Sequence, residues 1–386
     1  MKLEDFYHRQ LTQDCLAFWF PRSIDEEHGG FLHCFDRDGT LVDSDKSVWA
    51  QGRMSWMLLS LYLDDERRPE WLSWAESGLT FLERHGVDPS DGRMYFHVQR
   101  DGTPIRKRRY AYSESFAAIA YAAHAAATAS DQSAARALHW FERFVAWNFT
   151  PGLMPAKFTD ARPMMGLGPR MITLVTAQEL SLRLGEQPVL RAWVDRCIDE
   201  IQRYFVKAEQ CVVMETVGMN GEILDHFDGR LLNPGHAIEG AWFIMEESRR
   251  RNSSELLKLG CDMLDWMWER GWDKEYGGLF YFRDVYDKPL HEYWHHMKFW
   301  WPHDEALIAT LKAYQLTGRE KYLQWHEQLR EWSFSHFGDP DHGEWYGYLQ
   351  RDGSISSTLK GSLWKSFFHH PRALWLCRDM ARTLGL

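Results

Sequence analysis

Asp273-Lys274-Glu275-Tyr276-Gly277-Gly278-Leu279-Phe280-Tyr281-Phe282 follows one apolar helical stripe and precedes another. Related stretches stand at Asp25-Glu26-Glu27-His28-Gly29-Gly30-Phe31, at Asp91-Gly92-Arg93-Met94-Tyr95-Phe96 and at Asp341-His342-Gly343-Glu344-Trp345-Tyr346-Gly347-Tyr348. Pro151-Gly152-Leu153-Met154 and Cys211-Val212-Val213-Met214-Glu215 fall where two degenerate copies belong. The event therefore recurs six times, about every 60 to 66 residues, and a fixed period of this size means one supersecondary unit copied around or along an axis.

Between these turns apolar residues return at spacings of three and four. The pattern predicts helices over 3–20, 47–63, 69–85, 113–129, 133–148, 170–184, 188–206, 235–250, 253–270, 301–317, 320–336 and 370–385. Gly86, Gly185, Gly271 and Gly318 follow helix ends, where a left-handed residue can close the last turn, and Pro371 suits a first turn. Connections alternate: a few residues from each even helix to the next odd one, and a long one carrying the Gly turn from each odd helix to the next even one. Six helical hairpins make either an open solenoid or a closed double ring. Leu11 to Phe20 and Trp364 to Leu386 are as apolar as the middle of the chain, so neither end has the polar face of a solenoid cap. Closure follows: an all-α, (α/α)6 barrel, one domain over 1–386, with short β-hairpins in the long loops on one face. Its even helices would line the inside, with their N-termini at the long-loop mouth.

Composition narrows the function. Hydrophobic residues are 45% and charged residues 26%, the proportions of a globular protein, and no apolar run has transmembrane length. The net charge of −10, without a basic block, argues against nucleic-acid or membrane partners. Six scattered cysteines (Cys15, Cys34, Cys197, Cys211, Cys261, Cys377) without a CxxC read as reduced thiols of a cytoplasmic protein. The outlier is aromatic content: 20 Trp, 15 Tyr and 22 Phe, many of them in the turns beside Gly, Asp and His, where flat rings suit the faces of a sugar.

The unusual polar residues gather at the starts of even helices. Arg53 lies among Trp49, Met54 and Trp56 in the second; Ser113-Glu114-Ser115 opens the fourth; His236 and Glu239 open the eighth; Trp301 and Glu305 open the tenth; His369 precedes the twelfth. Ring closure would bring them to one mouth. His236 and Glu239, three apart, share a helix face, so the carboxylate can orient the imidazole or bind a hydroxyl, although Asn233-Pro234-Gly235 also makes an ordinary capped start. His-x-x-Glu supplies metal ligands in bundles as matched copies, and a single copy points away from a metal. Burial beside Phe368 and the positive end of the next helix favour a neutral His369, able to act as a base near pH 7. Arg53 is either the partner of a carboxylate or a donor to a sugar oxygen, and Glu215 and Glu305 carry the same two readings. Trp300, Trp301 and Trp364 serve either core or ligand platform. There is no Ser/His/Asp nucleophile motif, GxGxxG or Walker loop. Glu215, Glu239 and Glu305 leave a two-carboxylate glycosidase open, but two histidines and an arginine suit proton transfer better.

Asp228-Gly229-Arg230-Leu231-Leu232-Asn233-Pro234-Gly235-His236-Ala237-Ile238-Glu239, then Trp300-Trp301 through Glu305, then Phe368-His369 with Pro371-Arg372-Ala373, resemble in this order the N-acylglucosamine 2-epimerase family. Members of that family are (α/α)6 barrels, and it includes cellobiose 2-epimerases, mannose 2-epimerases and the isomerases of mannose and sulfoquinovose. The resemblance implies an epimerase acting at C2 of a ring-opened sugar, with His236 and His369 as the acid/base pair on opposite faces. It implies Arg53 on the carbonyl and C2 oxygens, Glu239 and Glu305 orienting histidines and hydroxyls, and Trp301 and Trp364 shaping the pocket, with Glu215 in the substrate-binding set. No redox or metal cofactor is required.

Two segments separate the branches. Where cellobiose epimerases and the isomerases carry a further His, the sixth helix starts Gly168-Pro169-Arg170-Met171-Ile172-Thr173, as in the N-acylglucosamine branch. That branch carries a Gly-Gly-Lys-Trp-Lys-Gly stretch linked to nucleotide activation, whereas this chain reads Gly361-Ser362-Leu363-Trp364-Lys365-Ser366, so ATP activation is not carried over. The expectation is an enzyme interconverting N-acetylglucosamine and N-acetylmannosamine. The alternatives are an aldose-ketose isomerase or epimerase of non-acylated sugars, and a sugar-binding toroid without chemistry. The partner is a small sugar, and the apolar outer faces of such toroids favour a homodimer.

Overall fold

The computed structural model describes all 386 residues. Twelve helices appear: α1 (Leu3–Arg9, continuing through a wider turn at Gln10–Leu16 into Ala17–Trp19), α2 (Val48–Asp64), α3 (Pro69–His85), α4 (Tyr112–Thr128), α5 (Asp131–Phe149), α6 (Leu167–Leu184), α7 (Pro188–Glu200, continuing through Ile201–Phe205), α8 (Pro234–Arg251), α9 (Ser254–Gly271), α10 (Trp300–Thr317), α11 (Glu320–His336) and α12 (His369–Leu384). The largest departure from the sequence expectation is α6, which begins at Leu167 rather than 170. Gly168-Pro169 reads as a turn, yet a proline in a helix's first turn lacks only an N–H that would have no intrahelical partner.

The even helices form the inner ring, each packed on the next even helix, and the odd helices lie outside them. Composition explains the division. In α4 nearly every side chain from Ser113 to Ala123 is buried, whereas α5 buries one stripe; a helix apolar all round can only sit inside. The ring is loosest at its seam, between α12 and α2, with α6 against α8 the next loosest. It closes where α12 meets α2: Trp56 packs on Phe368 and Trp375, and the fully buried Arg378 donates to Asp65 at 2.7 Å. No helix is long and apolar enough to cross a membrane.

The Gly turns share one hydrogen-bond signature, an N–H donating to the carbonyl nine residues earlier: Leu32 to Ser23, Tyr95 to Gly86, Met214 to Phe205, Phe280 to Gly271 and Tyr346 to Phe337. The stretch after Pro151 makes no such bond, so the third copy is lost in structure as well as in sequence. Inner helices hold the turns from beneath. Gln51 accepts from Phe31 N–H at 2.7 Å and donates to its carbonyl at 2.9 Å, Glu114 accepts from Met94 N–H at 2.7 Å, and His303 Nε2 accepts from Leu279 N–H at 2.9 Å. Glu114, expected at the mouth, is thus occupied with a turn. Gly30 is required at its position: φ is +70°, and a Cβ would lie 2.5 Å from Gln51 Oε1.

A buried aspartate heads three of the turns. Asp25 pairs with Lys46 and Arg100, Asp273 with Lys298 and Arg351, and Asp339 with Lys360 and Arg37. In each case the arginine comes from the next loop around the ring, and the Arg37–Asp339 bond carries that rule from the last loop to the first. The sequence expectation of hairpins inside the loops holds for Cys34–Phe35 with Leu41–Asp43, His97–Val98 with Pro104–Arg106, and Val206–Lys207 with Val212–Val213. It needs correction for four other ladders, which join neighbouring loops: Lys46–Ser47 with His97–Val98, Met165–Gly166 with Thr216–Val217, Leu231–Leu232 with Arg283–Asp284, and Lys298–Phe299 with Tyr348–Leu349. Loops crowded side by side on one face satisfy their backbones on each other.

Gln51→Ala leaves both backbone groups of Phe31 unpaired in the core and is expected to cost about 3 kcal/mol in urea unfolding. A loss below about 1 kcal/mol would mean that the turn does not depend on this contact.

Candidate active site

A cavity of about 1460 Å³ occupies the axis of the ring and is lined at its mouth by the first turns of the inner helices. Trp49 and Arg53 reach it from α2, Tyr112 and Phe116 from α4, Arg170 from α6, His236 and Glu239 from α8, Trp300 and Trp301 from α10, and His369 and Arg372 from α12. Each lies within two turns of a helix start, which is why a closed ring gathers residues distant in sequence.

His236 is fixed by its helix cap, since the Asn233 side chain accepts from His236 N–H at 3.2 Å. Its Nδ1 lies 3.0 Å from Glu215, whose backbone is pinned on both sides: Glu215 N–H donates to Leu231, and its carbonyl accepts from Leu167 N–H. A carboxylate only accepts, so the hydrogen is on Nδ1 and Nε2 is left for the cavity. Burial alone lowers the pKa of this imidazole; the Glu215 carboxylate reverses that and holds it above the usual histidine value.

His369 is built alike and tuned oppositely. Its Nδ1 donates to Glu305 Oε1 at 2.7 Å, but burial dominates, and with Arg53 and Arg372 nearby its pKa falls to about 3. Glu305 is spent on this task. Its Oε1 also accepts from Arg372 at 2.6 Å, its Oε2 accepts from Trp242 Nε1 at 2.8 Å, and it is fully buried. Arg372 Nη2 reaches Glu239 as well, at 2.9 Å. Burial and the charge of Glu305 raise the Glu239 pKa against the pull of Arg372. Trp301 stands between the two histidines, its ring centroid 4.9 Å from that of His236 and 5.9 Å from that of His369. The Arg53 guanidinium is packed by Phe116, Phe368 and Trp49 at 4.1, 4.6 and 5.2 Å and has no ion-pair partner. Burial lowers its pKa to about 9, which still leaves a cation at neutral pH.

Seven of the eight residues singled out from sequence, namely Arg53, Glu215, His236, Glu239, Trp301, Trp364 and His369, line this one cavity. The eighth, Glu305, lies behind His369. As a substrate contact it is corrected, because both its oxygens are taken by protein donors. The pairing of His236 is corrected too: its carboxylate is Glu215, twenty-one residues upstream, whereas Glu239 on the same helix turns to Arg372. Trp364 is 41% exposed at the rim, against Trp49 and Phe96. Arg372 and Trp242 were missed; their signal was spacing, since each lies three residues beyond a chosen residue on the same helix face. His370, beside His369, points outward to Asp304 at 2.9 Å. Donor atoms of Glu239, Glu305 and His369 lie within 4.8 Å of one another, as a metal site requires, but the Arg372 guanidinium already bridges the two carboxylates.

The sequence profile of the family described as N-acylglucosamine 2-epimerase (GlcNAc 2-epimerase) matches residues 30–373. The N-acylglucosamine 2-epimerase of Bos taurus is 37% identical over 99% of this chain and 92% of its own length. That of Homo sapiens is 35% identical over 96% and 88%. Among solved structures, cellobiose 2-epimerase from Bacillus thermoamylovorans B4167 superposes with a TM-score of 0.85 at 19% identity, covering 98% of this chain and 99% of that one, which is a likeness of fold. With the profile covering most of the chain and relatives above one third identity end to end, this chain belongs to the N-acylglucosamine 2-epimerase family.

Proposed function

We propose that the chain is a sugar 2-epimerase that interconverts N-acetylglucosamine and N-acetylmannosamine through their open-chain forms. One observation carries the reading: two imidazoles, each with Nδ1 tied to a carboxylate, flank one indole at a cavity that also holds an unpaired guanidinium. A C2 hydrogen becomes acidic only when the adjacent carbonyl oxygen can accept negative charge, and Arg53 supplies the cation for that oxygen. In one direction neutral His369 takes the C2 proton, the electron pair moves to the carbonyl oxygen as an enolate, and imidazolium His236 returns a proton to C2 from the opposite face. The C2 configuration inverts, with the proton count shifted from one histidine to the other. The opposed pKa shifts suit the division, one histidine kept neutral and the other readily protonated. The names of the mammalian relatives support the acylated substrate. Independence from nucleotide is supported by Lys365, which is buried and paired with Glu344 at 2.6 Å and so not offered to a phosphate.

Incubation in D2O with N-acetylmannosamine, N-acetylglucosamine, mannose and glucose, with and without ATP, followed by NMR, is expected to give C2-deuterated epimer of the acylated sugars and no dependence on ATP. A ketose product would identify an aldose-ketose isomerase, and absence of exchange with every sugar would leave a binding toroid. His236→Gln is expected to lose roughly 100-fold or more in epimerisation while His369 still exchanges the C2 hydrogen of one epimer with solvent; His369→Gln should do the reverse. Full activity in either variant removes the two-base assignment. In the direction where His236 is the acid, kcat/KM should be level at acidic pH above the His369 pKa of about 3 and fall as pH rises through the elevated His236 pKa. A fall on the acidic side of pH 6 instead would contradict a neutral His369.

A further inference from the structure

The group behind the candidate base is a closed charge cluster of four side chains from three helices. Glu239 comes from α8, Glu305 from α10, and His369 and Arg372 from α12. Arg372 is the only cation in direct contact with both carboxylates, at 2.9 and 2.6 Å, and its Nη2 lies 3.4 Å from His369 Nδ1. It shares Glu305 Oε1 with the imidazole, so the oxygen that orients His369 is held from two sides, while Trp242 holds Oε2. The guanidinium itself is caged: it is 4% exposed and lies over the Phe368 and Trp242 rings at 4.7 and 5.4 Å.

We infer that Arg372 is a positioning residue for the proton transfer, bridging Glu239 and Glu305 so that Glu305 stays ionised, keeps the hydrogen of His369 on Nδ1 and aims Nε2 into the cavity. The inference rests on His369 being the base proposed above. Without the bridge, two buried carboxylates would face each other, one would take up a proton, and a protonated Glu305 could donate to Nδ1 and invert the tautomer. The charged groups facing His369 are Glu305 from α10, Arg53 from α2 and Arg372 on its own helix, with Glu239 of α8 beyond Arg372. Removing Arg372 takes away one of the two cations that oppose imidazolium, which agrees with a depressed pKa in the intact site. Lysine would keep the charge, but its single ammonium lacks the planar fork that spans two acceptors.

The test uses the full-length enzyme as R372M and R372K, with 15N-histidine NMR to follow the tautomer and titration of His369, assigned against H369Q. For R372M we expect kcat to fall roughly 100-fold with KM little changed, the His369 signal to titrate at higher pH than in wild type, and guanidinium in the buffer to restore part of kcat. For R372K, which retains the buried charge if R372M does not fold, we expect kcat to drop about tenfold or more with a displaced His369 titration. An unchanged His369 tautomer and titration in a folded variant, or wild-type kcat in R372K, overturns the inference. The NMR readout needs no substrate, so a wild-type enzyme inactive on every sugar would sink the proposed function and leave this assignment to be judged separately.

Discussion

Two arginines, Arg37 on the loop face and Arg378 between helices, join the end of the chain to its beginning, and the chemistry depends on that closure. Arg37 clamps Asp339 as Arg100 clamps Asp25, and Arg378 reaches Asp65 from a wholly buried position. Each bond has one buried member, Asp339 in the first and Arg378 in the second, so breaking either takes a partner from a charge in the interior. An open array of the same helices would keep Arg53 and His369 on opposite ends. Only the ring puts them at one mouth.

The ring also accounts for the contrast between the two histidines. They sit at equivalent places, at the starts of α8 and α12, and each gives its Nδ1 hydrogen to a carboxylate from elsewhere in the ring. Glu215 lies on a loop at the edge of the cavity with a single imidazole to serve. Glu305 is inside the wall, shared with Arg372, and two guanidinium groups stand near its histidine. The same pairing therefore gives a readily protonated ring in one place and a neutral one in the other. Periodic architecture supplies two similar positions, and different neighbours make them unlike.

Much of this could be read from the residues. The spacing of apolar side chains and the Gly turns located all twelve helices, because inner and outer helices differ in how many faces they bury. The placement of Arg53, His236, Trp301 and His369 at one mouth followed from their positions at even helix starts. What spacing could not show was partnership. His236 and Glu239 share a helix face, yet Glu239 turns to Arg372, because a buried cation two helices away attracts it more than an imidazole that already has Glu215. Cross-loop ladders escaped for a similar reason: two-residue strands carry no period, and their partners lie in the adjacent loop. The third loop, the one whose Gly turn is degenerate in sequence, also lacks the nine-residue bond, and no ladder joins the loop before α4 to the loop before α6.

The position of α12 has a consequence for how the molecule is made. The bonds that close the ring span 302 and 313 residues, so they form only after most of the chain has emerged from the ribosome. Until α12 is complete, the flanks of α2 and α10 that it will cover remain apolar and bare, a surface that invites aggregation or a chaperone. The same helix brings His369 and Arg372. A nascent or partly unfolded ring therefore lacks the residue proposed as its base, and on that reading proton transfer at C2 begins only once the last helix has docked.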